Sequence, residues 1–440
     1  MVDLPQKKRY IADLHVHSRY SRACSKNLTL SNMAAWASAK GIDVLATSDF
    51  THPAWLREIE AKLEPAEDGL FSLRPEFASE DGGSSYESAP KSRGRRPMRF
   101  MLSTELCCIY KKGGRTRRLH LVVLAPTLQA VRSMVGFLDG HGKNLKSDGR
   151  PILGMDAKEI VKMALDADSR CEVIPAHAWT PWFSVFGSQS GFDSLEECFE
   201  ELTPNIHAVE TGLSSDPPMN WRLSALDRLS LVSNSDAHGL KNLAREANVF
   251  ELESLSYDAV LSPIRERDAS RFPYTIEFFP EEGKYHVDGH RDCGFSCEPD
   301  RTEQLGGRCP KCSKPLTRGV LGRVHALADR SVGTRPDGAP DFRHIVPLEE
   351  IIADTFGRGR ATKAVGATYR KLLECLGTEF EVLLDVPLSE IAVCSDSRMA
   401  EGIGRVRDGN IHVRPGYDGQ FGTVKVFEDS ELVSQVRLGI

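Results

Sequence analysis

Side chains that commonly bind metal recur along the first half of the chain, each at or near the end of a short apolar run. Asp13, His15 and His17 lie in DLHVHS, and Asp49 ends IDVLATSD with His52 close behind. Glu105 ends MLSTE, His120 lies in LHLVV, His177 ends EVIPAH, and Asp236 and His238 close LSLVSNSDAH. Neutral imidazoles and carboxylates suit Zn, Mn, Mg or Fe, and so many converging ligands exceed what one ion uses, so two or three divalent metals are expected. A metal cluster suits phosphate esters: it generates hydroxide from bound water at neutral pH, neutralises non-bridging oxygens and stabilises the leaving alkoxide. No protein nucleophile is then required, and Asp236, His238 and Asp49 are the candidates for catalytic roles beside the ions. A single one of these histidines is more often a core or surface residue. Five strand-end positions in succession outweigh that reading.

These residues need a scaffold that gathers strand ends. From Tyr10 to about Glu253, apolar runs alternate with helical patterns such as LSNMAAWASAKG and AKEIVKMALDA, the mark of βα units around a parallel sheet or barrel. Alternation along DLHVHS points both imidazoles to the same side. Functional groups at the C-terminal ends of strands are where α/β folds build their sites. The segment Glu76 to Arg99 is too polar and too rich in Gly, Ser and Pro to pack, so a mobile loop is expected over 77–97. The chain lacks a G-x-S-x-G elbow and a GxxxxGK[ST] loop, which argues against a serine hydrolase and a P-loop NTPase.

Eleven cysteines fall into two kinds. Cys171, Cys198 and Cys375 lie within apolar runs, whereas Cys293, Cys297, Cys309 and Cys312 are grouped in HRDCGFSCEPDRTEQLGGRCPKC. The Cys309-Pro-Lys-Cys312 pair has the gap of a zinc knuckle. His290 and Cys293 repeat that gap upstream, so His290, Cys293, Cys309 and Cys312 are the favoured ligands of one structural zinc, with Cys297 as the rival fourth ligand. Three regions follow: a metallo-phosphoesterase domain over 1–271, a zinc-binding module over 272–317, and a C-terminal region over 318–440 that is helical and then built of short strands.

The strand-end residues resemble the polymerase-and-histidinol-phosphatase (PHP) family. That resemblance implies a distorted (βα)7 barrel with a trinuclear site. One metal would fall to His15, His17, Glu105 and Asp236, a second to Glu105, His120 and His177, and a third to His238 with the Asp49 region. The family's YSDG is Tyr20-Ser21-Arg22-Ala23 here and its TDH is Ser48-Asp49-Phe50, leaving Asp49 or His52 to stand in for a missing imidazole. Together with SKNLTL, PAHAWTPWFSVFGSQSGF, ETGLSSDPPMNWRLSALD and GRCPKCSKPLTRGVLGRVHALADR, essentially the whole chain resembles the endonuclease Q family. The resemblance implies incision of DNA 5′ to deaminated bases (uracil, hypoxanthine, xanthine) or abasic sites.

Such an enzyme must extrude a base and hold it on aromatic faces. Trp179, Trp182 and Phe183 follow His177 and could form that surface, or could plug the barrel mouth. Ser214 to Asn220 could present amides to a base edge or be a structural turn. Arg115, Arg117 and Arg118 would bring phosphate-binding charge near the metals if a hairpin returned them there. Arg358, Arg360 and Lys363, in a Gly-bearing turn before a helix, form a candidate backbone clamp. The formal net charge of −6 gives no support to a nucleic-acid partner, although metal-ligating carboxylates enter that sum without their cations. The expected partner is DNA with damaged bases, duplex first and single strands second, with no membrane. The opening residues lack a signal-peptide apolar region and no run approaches a membrane span, so a cytoplasmic location is expected. Two alternatives are a small-molecule PHP phosphatase, which needs neither zinc module nor C-terminal third, and a non-catalytic DNA-binding module, which would have lost ligands.

Overall fold

The computed structural model describes residues 6–78, 89, 97–428 and 430–431, and the loop expected over 77–97 falls for the most part outside them. Strands are labelled β1 (Lys8–Asp13), β2 (Val44–Ala46), β3 (Leu63–Pro65), β4 (Leu70–Leu73), β5 (Arg99–Lys112), β6 (Arg115–Ala125) and β7 (Glu172–Pro175). There follow β8 (Ala208–Glu210), β9 (Ser230–Val232), β10 (Ala247–Leu252), β11 (Tyr274–Glu277), β12 (Asp288–His290), β13 (Phe295–Cys297) and β14 (Asp341–His344).

Seven of these strands close a ring among the described residues. β1 pairs with β2 and β2 with β5 in parallel, β5 with β6 and β6 with β7 antiparallel, and β8 with β9 in parallel. The Ala178 N–H donates to Glu210 O (3.0 Å) and joins the β7 and β8 ends. Beyond β9, the Asp236 N–H donates to His15 O (2.9 Å) and the His17 N–H to Ala237 O (3.1 Å), returning the ring to β1. The result is a distorted PHP-type barrel. Its antiparallel members differ from the all-parallel expectation because the Gly113-Gly114 turn, both residues at positive φ, folds β5 directly back as β6. β10 and β11 add antiparallel strands outside β1, and β14 pairs in parallel with β11. The sheet therefore runs on past residue 271, on both sides of the cysteine segment.

Burial follows the apolar runs. Val44 to Ala46 of β2 and Phe100 to Leu102 of β5 are wholly enclosed, as expected of strands covered on both faces. The helix Leu30–Lys40 starts on Thr29, whose side chain accepts from the Asn32 N–H, and ends at Gly41 at φ 95°. The C-terminal helices Leu348–Thr355, Lys363–Leu376, Leu388–Cys394 and Ser397–Arg407 share one apolar core with the barrel. A buried ion pair ties them to it: Lys40 Nζ lies 2.8 Å from Glu379 Oε2. Glu379 also accepts from Tyr369 Oη (2.6 Å) and the Leu348 N–H (2.9 Å), so the buried charge is fully partnered. No helix among the described residues is long and apolar enough to cross a membrane.

Candidate active site

The ring delivers its polar residues to one mouth. His15 and His17 follow β1, His177 follows β7 and Asp236 follows β9, while Glu105 and His120 sit on the paired strands β5 and β6. Two sets of ligand atoms result, each with all members within 4.8 Å of one another: His15, His17, Glu105 and Asp236, and Glu105, His120 and His177. Glu105 belongs to both and divides its oxygens between them. Its Oε1 lies 2.7 Å from His120 Nδ1 and 3.4 Å from His177 Nε2. Its Oε2 lies 3.2 Å from His17 Nε2 and 3.5 Å from His15 Nε2. A carboxylate so placed can bridge two cations.

The donor chemistry fits divalent metal. His15 Nε2 is buried without a hydrogen-bond partner while the other ring nitrogen is engaged by a carboxylate, so Nε2 faces Glu105 and Asp236 across a gap that a proton or a cation would fill. Burial would raise Glu105, but His120, Arg150 and His15 around it hold its carboxyl well below the usual range. Burial lowers His15, yet Glu210 and Glu105 outweigh it and raise its imidazole well above the usual value. Burial pushes His120 down to about 4, leaving a neutral nitrogen donor. Carboxylates that draw protons onto His15 would equally draw a divalent cation, whose binding would release those protons.

The remaining expected ligands stand outside both sets. Asp49 is fully buried, but Ser18 Oγ (2.6 Å), the Ser18 N–H (2.9 Å) and Ser21 Oγ (2.8 Å) all donate to Oδ2, and Ser48 Oγ donates to Oδ1 (2.9 Å). What Asp49 offers the centre is Oδ1, 3.5 Å from His17 Nδ1. The His238 ring lies 4.5 Å from that of His17, with Nδ1 on Asp236 O at 2.8 Å. His52 stacks on Tyr20 at 4.4 Å. Asp13 is turned away to brace the β9 end, accepting from the Ser235 hydroxyl (2.6 Å) and the Ser235 and Ala244 N–H groups (3.1 Å each).

Two residues at the centre were not anticipated. Glu210, wholly buried at the end of β8, accepts from His15 Nδ1 (3.0 Å), the His177 N–H (2.7 Å) and Asn234 Nδ2 (2.9 Å). It orients the His15 imidazole and holds the backbone of His177, one ligand from each set, as residues behind metal ligands commonly do. Gly212 is needed beside it, since a Cβ there would lie 2.6 Å from His177 Cβ. Arg150 places Nη1 3.0 Å from Glu105 Oε2.

The nucleic-acid candidates separate into inner and outer groups. Trp179 is fully buried and donates to Asn220 Oδ1 (2.8 Å), so it packs the barrel mouth and offers no face to a base. Phe183 lies 4.9 Å from the His120 ring. Trp182 is 40% exposed and meets Tyr285 edge-on at 5.6 Å. Both rings line a pocket of about 520 Å³ with Thr180, Arg245, Phe278 and Arg360. Thr180 Oγ1 is 3.2 Å from His177 Nδ1 and Arg245 Nη2 is 3.4 Å from Asp236 O, so the pocket adjoins the ligand sets. Arg360 is engaged with Glu350 at 2.6 Å, whereas Arg358 is exposed. The hairpin carries Arg115 away from the centre, since its turn begins seven residues beyond Glu105, about 23 Å along an extended strand, whereas Arg118 stands two residues before His120 on the same face of β6. Arg117 there stacks on Phe192 at 4.0 Å and donates to Gly191 O. In the cysteine module, His290, Cys293, Cys309 and Cys312 offer ligand atoms within 4.8 Å of one another. Cys297 is absent from that set and lies 3.4 Å from Thr302 Oγ1. Burial would raise the Cys309 thiol, but the Lys311 and Cys312 N–H groups bring it down to about 7.

Residues 347–410 match the family described as the MJ0043 C-terminal domain. The uncharacterized protein MJ0043 of Methanocaldococcus jannaschii is 30% identical over 255 residues, which are 56% of this chain and only 31% of that protein. The lesion-specific endonuclease PfuEndoQ of Pyrococcus furiosus is 29% identical with a TM-score of 0.80, over 97% of this chain and 99% of that one. An endonuclease Q solved with a 27-mer duplex carrying an abasic lesion at its active site is 30% identical with a TM-score of 0.79, over 96% of this chain and 98% of that one. The chain belongs to the endonuclease Q family. The likeness takes in barrel, cysteine module and C-terminal helices together, so this endonuclease Q family member shares more than a PHP barrel with its relatives.

Proposed function

We propose that this chain is a DNA repair endonuclease that hydrolyses the phosphodiester 5′ to deaminated bases (uracil, hypoxanthine, xanthine) or abasic sites. The observation that carries the reading is the shared Glu105 between two ligand sets, with an aromatic-lined pocket opening directly beside them. His15, His17, Glu105 and Asp236 would hold one divalent metal, and Glu105, His120 and His177 a second. Such a pair supplies an activated water and charge neutralisation at the phosphate in an in-line displacement. Glu210 fixes the imidazole of His15 and Thr180 that of His177, while the Asp49 carboxylate faces His17 Nδ1 at 3.5 Å. Trp182 and Tyr285 offer the extruded base its stacking faces, and Arg245 brings positive charge to the pocket wall. His290, Cys293, Cys309 and Cys312 would hold a zinc that shapes the module beside the pocket. Four protein ligands leave no open position on it, so its role is structural.

The test is a gel assay with end-labelled duplexes bearing one uracil, hypoxanthine or abasic site, alongside an undamaged control, in Mg or Mn. A nick immediately 5′ to the lesion, suppressed by EDTA and absent from the control, is expected. Intact duplexes together with phosphate release from a phosphomonoester would establish the phosphatase instead.

A further inference from the structure

Arg150 is built into the centre from outside the barrel strands. The segment carrying it is stitched to β5 just past Glu105: the Cys107 N–H donates to Pro151 O (3.1 Å) and the Leu153 N–H to Cys107 O (2.9 Å). Asp148 anchors the other side, accepting from the Arg22 N–H (3.1 Å) and the Arg150 N–H (3.2 Å). Gly149 between them admits no side chain, since a Cβ would fall 2.2 Å from Asp49 Oδ2, and its N–H donates to Tyr20 O (3.1 Å). The arginine is thereby presented beside Asp49, on the side where a third metal was expected. There the Asp49 carboxylate is taken up by serine donors, and no third ligand set assembles among the described residues. The cation that reaches the ligand sets from that side is the Arg150 guanidinium, on Glu105 Oε2.

Its donors are mostly uncommitted. A guanidinium carries five N–H groups, and the hydrogen bond it makes here is the one from Nη1 to Glu105 Oε2 (3.0 Å). The side chain keeps 25% exposure into the mouth. A planar fork with free N–H groups, held against the carboxylate that joins two cation sites, is the geometry that takes a phosphate bidentately.

We propose that Arg150 is a catalytic residue that grips a non-bridging oxygen of the scissile phosphate and takes the place of a third metal ion. This rests on the phosphodiester reading of the site. One N–H stays on Glu105 while the others meet the phosphate, so the residue links the bridging ligand to the substrate. As charge builds on the phosphoryl oxygens in the transition state, the contact strengthens.

The experiment compares wild-type, Arg150→Ala and Arg150→Lys holoenzymes on an abasic-site duplex whose scissile phosphate carries sulfur at either non-bridging position, and measures the metal content of each protein. Arg150→Ala is expected to lower the single-turnover rate by ~10²–10³-fold, the usual cost of losing one donor to a developing oxyanion. Arg150→Lys, which keeps charge without the fork, should fall between. Metal content should be the same in all three, with two catalytic ions per chain besides the structural zinc. One sulfur diastereomer should be slow in the wild type and lose that penalty in Arg150→Ala. Equal sulfur penalties in both proteins would overturn the phosphate contact. A third catalytic ion in the wild type, or loss of metal together with rate in Arg150→Ala, would overturn the substitution of arginine for metal. If the wild type leaves lesion duplexes whole but hydrolyses bis(4-nitrophenyl) phosphate, the repair reading alone falls. The same rate and metal comparison on that diester then tests Arg150 separately.

Discussion

Replacing Glu210 with glutamine removes one charge and leaves the volume almost unchanged, so its effect isolates what the carboxylate does. Oε1 accepts from His15 Nδ1 (3.0 Å) and Asn234 Nδ2 (2.9 Å), and Oε2 from the His177 N–H (2.7 Å) with His15 Nδ1 also at 3.1 Å. A glutamine amide must put its NH2 where one of these oxygens was, and both positions face N–H donors. Neither flip is satisfied. At least one buried donor loses its acceptor, which costs about 1–3 kcal/mol of stability. His15 also loses the negative partner that keeps Nδ1 protonated and Nε2 free for a cation. Groups behind metal ligands typically contribute ~10–100-fold to metal affinity. The assay is competition for the catalytic metal against a fluorescent chelator, with thermal unfolding in parallel. The cysteine-bound zinc is the internal control, since Glu210 has no contact with it. Unchanged catalytic-metal affinity in a folded Glu210→Gln protein would refute the orienting role.

Three further outcomes are expected. His290→Ala should release the structural zinc and Cys297→Ala should retain it, as read by zinc content per chain, because Cys297 lies outside the ligand set; the opposite pattern would exchange the two ligands. Trp179→Ala should cost about 3–5 kcal/mol of stability by emptying a fully buried site. Trp182→Ala should leave thermal unfolding nearly unchanged and weaken binding to an abasic-site duplex. Equal binding by Trp182→Ala and wild type would remove the stacking role.

The ligands were legible because each is a chemically marked residue in or just after an apolar run, and strand alternation fixes the side to which His15 and His17 point; Glu105 and His120 proved to lie within long strands, not at their ends. Glu210 and Arg150 carry no such mark. Glu210 is an ordinary residue in HAVETG until the ring closes and brings it against a histidine 195 positions away. Arg150 meets Glu105 across 45 positions, through a loop whose path nothing local dictates. The same limit misplaced Arg115 and Arg117 of the β5–β6 hairpin, the first near the turn and the second packed on Phe192. The turn itself was readable from Gly113-Gly114, but the reach of its arms depends on how long the two strands stay paired. It also left Trp179 and Trp182 indistinguishable, although one is wholly buried and the other faces solvent. Alternating strands and helices gave the fold class, whereas the direction of each pairing is settled by connections such as the tight β5–β6 turn.

The backbone supplies a second, independent mark of the site. Ser48, Asp49, His177 and Asp236 all lie in the left-handed region, at φ of 58°, 46°, 32° and 45°. Residues other than glycine adopt such conformations at a cost of about 1–3 kcal/mol each, and do so where surrounding contacts over-determine them. Those contacts are present at each position. The Asp236 N–H is held by His15 O and the His177 N–H by Glu210, while Asp49 is gripped by Ser18, Ser21 and Ser48. Ser48 is tied in turn to the strand that carries Glu105, its N–H donating to Ser103 Oγ at 2.9 Å. These four strained residues thus lie in the turns that leave the barrel strands, and the hydrogen bonds holding them come from the segments that carry the other ligands. Each ligand turn depends on its neighbours for its shape, so the centre is assembled by closure of the ring and is not a property of any one strand.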